Sequence, residues 1–222
     1  MRDIERRSIQ FPIEIREAGG KKTLSGFAAL YDSPSSDLGG FVEVIRPGAF
    51  SRAVRENQEV LARSEHDTRL LLGRRSNGTL RIFDDPKGLR YEVEVPDTQA
   101  GRDMATLVAR GDVRGSSFAF TIPDPVAGQR WTVTEDGQAL RELLDLDLFD
   151  VAPTANPAYP ETTVSARALE QARELTDQAT IDSAVGQVRE QLGVREAELT
   201  AAEQEMPLEA QQEIDRLRLG LA

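Results

Sequence analysis

The chain has 222 residues and 39% hydrophobic content, enough for one substantial domain plus an extension but not for two large domains. Its formal net charge of -11, from 27 Lys and Arg against 38 Asp and Glu, argues against a protein that grips phosphate backbones and favours basic partners. The absence of cysteine excludes disulfide and thiolate chemistry, and a single histidine cannot build a His-rich zinc site.

Met1 to Arg7 is charged and lacks the apolar core of a signal peptide, and no later run has the length of a membrane span, so a soluble protein with no membrane partner is expected. Ile9, Phe11, Ile13 and Ile15 share one face of a first strand, which Ala18-Gly19-Gly20-Lys21 ends as a turn. Thr23 to Tyr31 and Phe41 to Ile45 read as further strands around the polar loop Asp32 to Asp37. Pro47 opens a helix with Phe50, Ala53 and Val54 at helical spacing. Val60 to Asp67 is a half-apolar approach that delivers His66 near a strand end, and Leu70 to Arg74 follows. Thr79 to Phe83 and Leu89 to Val95 flank Asp85-Pro86-Lys87-Gly88 as a hairpin. Thr98 to Arg110 reads as a helix stopped by Gly111.

Arg114-Gly115-Ser116-Ser117-Phe118-Ala119-Phe120-Thr121 then begins an apolar strand with two hydroxyls at its start. Trp131 to Val133 and Leu143 to Val151 add two strands around the turn Glu135-Asp136-Gly137, and Pro153, Pro157 and Pro160 are expected to close the region. Many short strands interrupted by two helices predict a mostly β core with surrounding helices, either a closed barrel or a strongly curved sheet. From Thr163 the composition turns to Ala, Glu, Gln, Leu and Arg, and Val185, Leu192, Leu199 and Met206 recur every seven positions. Residues 1–162 are therefore expected to form the β domain, and 163–222 an acidic, helical, coiled-coil-like extension open to self-association.

A serine becomes a nucleophile at neutral pH only beside a base, and His66 is the one histidine available. Strand parity chooses between the serines: Ser116 aligns with Phe118 and Phe120, whereas Ser117 aligns with Ala119 and Thr121 on the less crowded face. For the group that orients the imidazole, Asp150 shares parity with Leu144, Leu146 and Leu148, where a carboxylate needs a partner. Asp147 ranks second, ahead of Asp145 and Glu142, and Asp67 adjoins His66 but should point away from it. Gly115 and the Gly73-Arg74 turn are weak candidates for an oxyanion hole, and Arg74 and Arg75 read as solvated turn charges.

Taken in order, Ile45-Arg46-Pro47-Gly48-Ala49-Phe50, His66-Asp67 with Leu72-Gly73-Arg74, Gly111 to Phe120, and Phe149-Asp150-Val151 with Pro157 to Thr162 resemble the prohead proteases of tailed phages. The resemblance runs from about Ile9 to Thr162 and implies a cofactor-free serine endopeptidase with a fold similar to the herpesvirus assemblins. The family order of histidine, serine and a third residue falls here on His66, Ser117 and Asp150. Assemblins use a second histidine in third place, and this chain has none. Family members work inside the immature capsid in the host cytoplasm, where they cut scaffold segments, a capsid-protein extension and themselves. The rival reading is a non-catalytic assembly or scaffolding protein with a β domain and a self-associating helix, which would not react with a fluorophosphonate at Ser117. A single-strand nucleic-acid binding barrel is disfavoured by the acidity and the 5% aromatic content.

Overall fold

The alternation from Ile9 to Ile15 predicts one strand, but Pro12 has no N–H to give a ladder and divides it. In the computed structural model, which describes residues 4–157 and 166–192, β1 spans Glu5–Ile9 and β2 spans Glu14–Ala18. The other strands are β3 (Lys21–Leu30), β4 (Phe41–Ile45), β5 (Leu61–Arg63), β6 (Leu71–Arg74), β7 (Leu80–Asp85), β8 (Gly88–Glu94), β9 (Gly115–Thr121), β10 (Gln129–Val133), β11 (Ala139–Leu143) and β12 (Asp147–Thr154). Three helices, α1 (Ser51–Arg55), α2 (Gln99–Arg110) and α3 (Ala166–Leu192), complete the described elements.

The strands form three open sheets, ordered β1-β9-β12-β5-β6, β10-β11-β4 and β2-β3-β8-β7. The mixed β and helical content agrees with expectation, but the closed or strongly curved barrel does not form. Closure requires one continuous ladder whose last strand returns to its first. Here each ladder stops at its own edges, and no sheet shares a hydrogen-bonded neighbour with another. Alternation within single strands carried no information about that partition.

Local signals fared better than closure. The β7–β8 hairpin turns at the expected place, with Asp85 opposite Gly88. At Gly88, φ is 149° and an added Cβ would lie 2.1 Å from the Ala29 carbonyl oxygen, so only glycine fits. Thr98 caps α2 by accepting from the Gly101 N–H at 3.2 Å, and Gly111 ends the helix in the left-handed region.

The expected strand from Leu143 to Val151 is in fact two. The Leu144 and Asp145 N–H groups both donate to the Gly128 carbonyl, which turns the chain away between β11 and β12. β12 then runs through Pro153 instead of stopping there. Its pairing with β5 covers only Asp150 and Val151, so by Pro153 no ladder bond is needed on that flank, and proline is tolerated.

Phe50, Phe118 and Phe120 lie at the centre of the main core, with Phe118 5.5 Å from Phe50 and 5.1 Å from Phe120 between ring centroids. The chain forms two compact units, residues 1–176 and 177–222. The first turns of α3 belong to the first unit, where Ala168 and Ala172 bury against Phe41 and Ala139. Of the seam expected in the extension, Leu199 and Met206 lie outside the described residues, as do the side chains of Val185 and Leu192.

Candidate active site

β9 lies between β1 and β12, and β12 lies between β9 and β5, so residues distant in sequence become neighbours on three adjacent strands. Ser117 opposes Ala152 and Asp150 opposes Ala119, which places the hydroxyl and the carboxylate on the same two strands with small residues across from them. Phe149 is left out of the register between Leu148 and Asp150 as a β-bulge. The alanines leave room above the sheet for an aromatic ring.

That ring is His66, carried on the loop between β5 and β6. His66 Nε2 lies 2.6 Å from Ser117 Oγ, and His66 Nδ1 lies 2.6 Å from Asp150 Oδ1. An ionised carboxylate only accepts, so Nδ1 carries the hydrogen and, in the neutral ring, Nε2 is free to accept from the serine. Ser117, His66 and Asp150 are 2%, 7% and 2% exposed.

The loop conformation is unusual and is held in place. Glu65 and His66 both adopt left-handed backbone, with φ of 53° and 56°, a region that non-glycine residues enter infrequently. The Glu65 N–H donates to the Pro153 carbonyl at 3.3 Å, and the Glu65 carboxylate accepts from Thr154 Oγ1 at 2.6 Å and from the Ala155 N–H at 2.7 Å. These three bonds fasten the loop to the end of β12. Asp67 faces Arg69, whose guanidinium and backbone N–H hold its carboxyl at about 2.

The other carboxylates have other partners. Asp147 accepts from Arg52 and from Gln58, each at 2.7 Å. Asp145 binds the Arg52 Nε, and Glu142 is held down at about 2 by Arg130, against its own burial and with help from Arg46. At the two glycine candidates the backbone is closely approached: a Cβ at Gly115 would meet Pro157 and the Ile9 carbonyl oxygen, and one at Gly73 would meet Val93. Arg75 is not a solvated turn charge, because it donates to the carbonyls of Ala53, Val54 and Gln58 at the end of α1.

Parity places the two serines on opposite faces, as expected, but neither face is open. Ser116 lies in the core against the buried Tyr91 hydroxyl at 2.9 Å, and burial pushes the Tyr91 phenol up. Two further contacts were not foreseen. Arg63 Nη1 donates to Asp150 Oδ2 at 2.9 Å, so both carboxylate oxygens are fixed, one by the imidazole and one by a cation. On the other side, the Ser117 hydroxyl lies 2.9 Å from the Arg7 carbonyl oxygen. No residue-type signal reveals either contact, since both depend on which strands pair. A weak signal did exist for the Arg7 side chain: Glu5 and Arg7, opposite charges two apart, share one strand face.

Hydroxyl, imidazole and carboxylate in one chain of short hydrogen bonds can pass a proton from serine to histidine, the chemistry of nucleophilic hydrolases. Residues 10–176 match the family described as caudovirus prohead serine protease. The chain belongs to that family, and so to the proteases of phage prohead maturation. Among solved structures it resembles the capsid assembly protease of bacteriophage T4, gp21, at 12% identity and a TM-score of 0.47, over 68% of this chain and 96% of that one. No curated protein matches.

Proposed function

We propose that this chain is a serine endopeptidase of the prohead, with Ser117 as nucleophile, His66 as general base and acid, and Asp150 as the group that orients and stabilises the imidazole. The single observation that carries the reading is the pair of 2.6 Å bonds that places His66 between Ser117 and Asp150. In the first half-reaction Ser117 Oγ attacks the scissile carbonyl carbon while its proton passes to His66 Nε2. The imidazolium gives that proton to the leaving amine as the C–N bond breaks, and an acyl-serine remains. Water then attacks the acyl carbon, His66 takes its proton, and collapse returns the proton to Ser117 Oγ. Arg63 acts through Asp150, holding Oδ2 so that Oδ1 stays on Nδ1.

The substrates proposed are scaffold segments, a capsid-protein extension and copies of the chain itself. Residues from about 163 onward are proposed to carry the enzyme into the assembling shell and then to be removed. The test is covalent labelling with a fluorophosphonate, followed by peptide mapping. Modification confined to Ser117 and lost in His66→Ala is expected. Cleavage activity that survives in Ser117→Ala would defeat the assignment, and an unreactive, inactive wild-type chain would favour the scaffolding alternative.

A further inference from the structure

Ser117 is almost fully buried, and its hydroxyl meets the Arg7 carbonyl of β1. A hydroxyl has one hydrogen to donate and here has two acceptors in range, His66 Nε2 and the Arg7 oxygen. While the hydrogen points to Arg7 it is not on the base, and while β1 lies in place a peptide has no route to Oγ from that side.

Among the described residues β1 is an edge strand laddered to β9 alone, in the register Ser8 opposite Ser117. Its sequence, Glu5-Arg6-Arg7-Ser8-Ile9, contains one apolar residue, so burial of apolar area does little to hold it. What holds it is charge. Arg7 donates to Glu5 at 2.7 Å and to Glu43 of β4 at 2.7 Å, while Arg141 of β11 donates to Glu5 at 2.8 Å and to Glu43 at 3.1 Å. This tetrad is buried and neutral, and it divides into two neutral halves. Glu5 and Arg7 pair with each other on β1, and Glu43 and Arg141 pair with each other on adjacent strands. Departure of β1 therefore leaves no isolated charge on either side, which removes the largest penalty of breaking a buried ion network.

We infer that β1 is a displaceable strap: it occupies the strand position beside β9 that an extended peptide substrate takes in the cleaving form, and the Glu5–Arg7–Glu43–Arg141 tetrad is its latch. The inference rests on Ser117 being the nucleophile. With β1 gone, the outward backbone groups of β9 need new partners, and an extended peptide supplies them by adding as a strand. The same exchange frees the Ser117 hydrogen for His66 and puts substrate backbone next to Oγ. Only the fraction of molecules with β1 released binds substrate, so the apparent affinity is scaled down by that fraction.

Because the chain lacks cysteine, the opposed pair Ile9→Cys and Ser116→Cys makes a reversible staple between β1 and β9. The probe is a peptidyl phosphonate that modifies the reactive serine. The oxidised protein should label at Ser117 at least about tenfold more slowly than the same protein after reduction, in keeping with a site reachable only in a minor open state. Equal labelling at Ser117 in both forms overturns the strap and leaves the nucleophile assignment standing. A wild-type chain that labels elsewhere, or nowhere, overturns both. Hydrogen exchange on the wild type needs no substitution: amides of residues 5–9 should lose protection once the peptidyl phosphonate is attached, and unchanged protection overturns the strap.

Discussion

Two buried polar networks flank β9, and they differ in kind. On one side Arg63, Asp150, His66 and Ser117 form a line of unlike groups ending in a hydroxyl whose one hydrogen has two acceptors. On the other, Glu5, Arg7, Glu43 and Arg141 form a closed ring of charge pairs in which the Arg141 Nε also finds a partner, Gln129, at 2.8 Å. Every member of the ring pairs with opposite charge, and the ring specifies which strands meet. The line has an underused position, and chemistry can occur there. Ser117, His66 and Asp150 are as buried as the ring, with Arg63 partly exposed at the end of the line, so low exposure alone does not separate the two networks; the hydrogen inventory does.

The largest effect should come from breaking the line at its working end. Ser117→Ala and His66→Ala should each lower cleavage by about a million-fold, with the double variant no worse, because nucleophile and base act as one unit. Single-turnover assays on the purified variants check this. Asp150→Asn should cost about ten-thousand-fold in kcat through the wrong imidazole tautomer. Asp147→Asn should cost far less, since its carboxylate serves Arg52 and Gln58. A reversed ranking of the two would reassign the third member.

Breaking the ring should show in stability. Arg141→Met leaves Glu5 and Glu43 with one cation between them and should lower unfolding free energy by about 3–5 kcal/mol, read from urea titrations. Acid offers a milder test. Burial pushes the Glu5 carboxyl up, but Arg141 and Arg7 more than reverse this and leave it below its ordinary value. A depressed carboxylate contributes stability above its unfolded pKa of about 4.3 and loses that contribution as pH falls through the folded value. The urea midpoint should therefore hold between about pH 7 and 5 and fall below about pH 4, with Glu142, at about 2, adding to the slope. In Glu142→Gln the fall should be shallower.

The smallest effect on peptidase activity is expected from deleting residues 177–222, which should leave cleavage in solution unchanged while preventing co-assembly with scaffold. A deletion that begins at residue 166 is a different experiment, because it also strips Ala168 and Ala172 from Phe41. It should destabilise the domain.

Several features were legible in the residues alone, each for a local reason. The β7–β8 turn follows from Asp85-Pro86-Lys87-Gly88, the ends of α2 from Thr98 and Gly111, and the opposite faces of Ser116 and Ser117 from the two-residue period of a strand. The candidates His66, Ser117 and Asp150 were also nameable, because a chain with one histidine leaves little choice of base. What only the tertiary structure decided is everything that depends on pairing between distant strands: three open sheets in place of one closed barrel, and the course of β12 through Pro153. Arg63 on Asp150 and the Arg7 carbonyl on Ser117 belong to the same class. Local periodicity reports which face of a strand is buried, but a backbone carbonyl has no residue type and a ladder neighbour has no sequence offset, so these contacts exist only once β1, β9, β12 and β5 lie side by side.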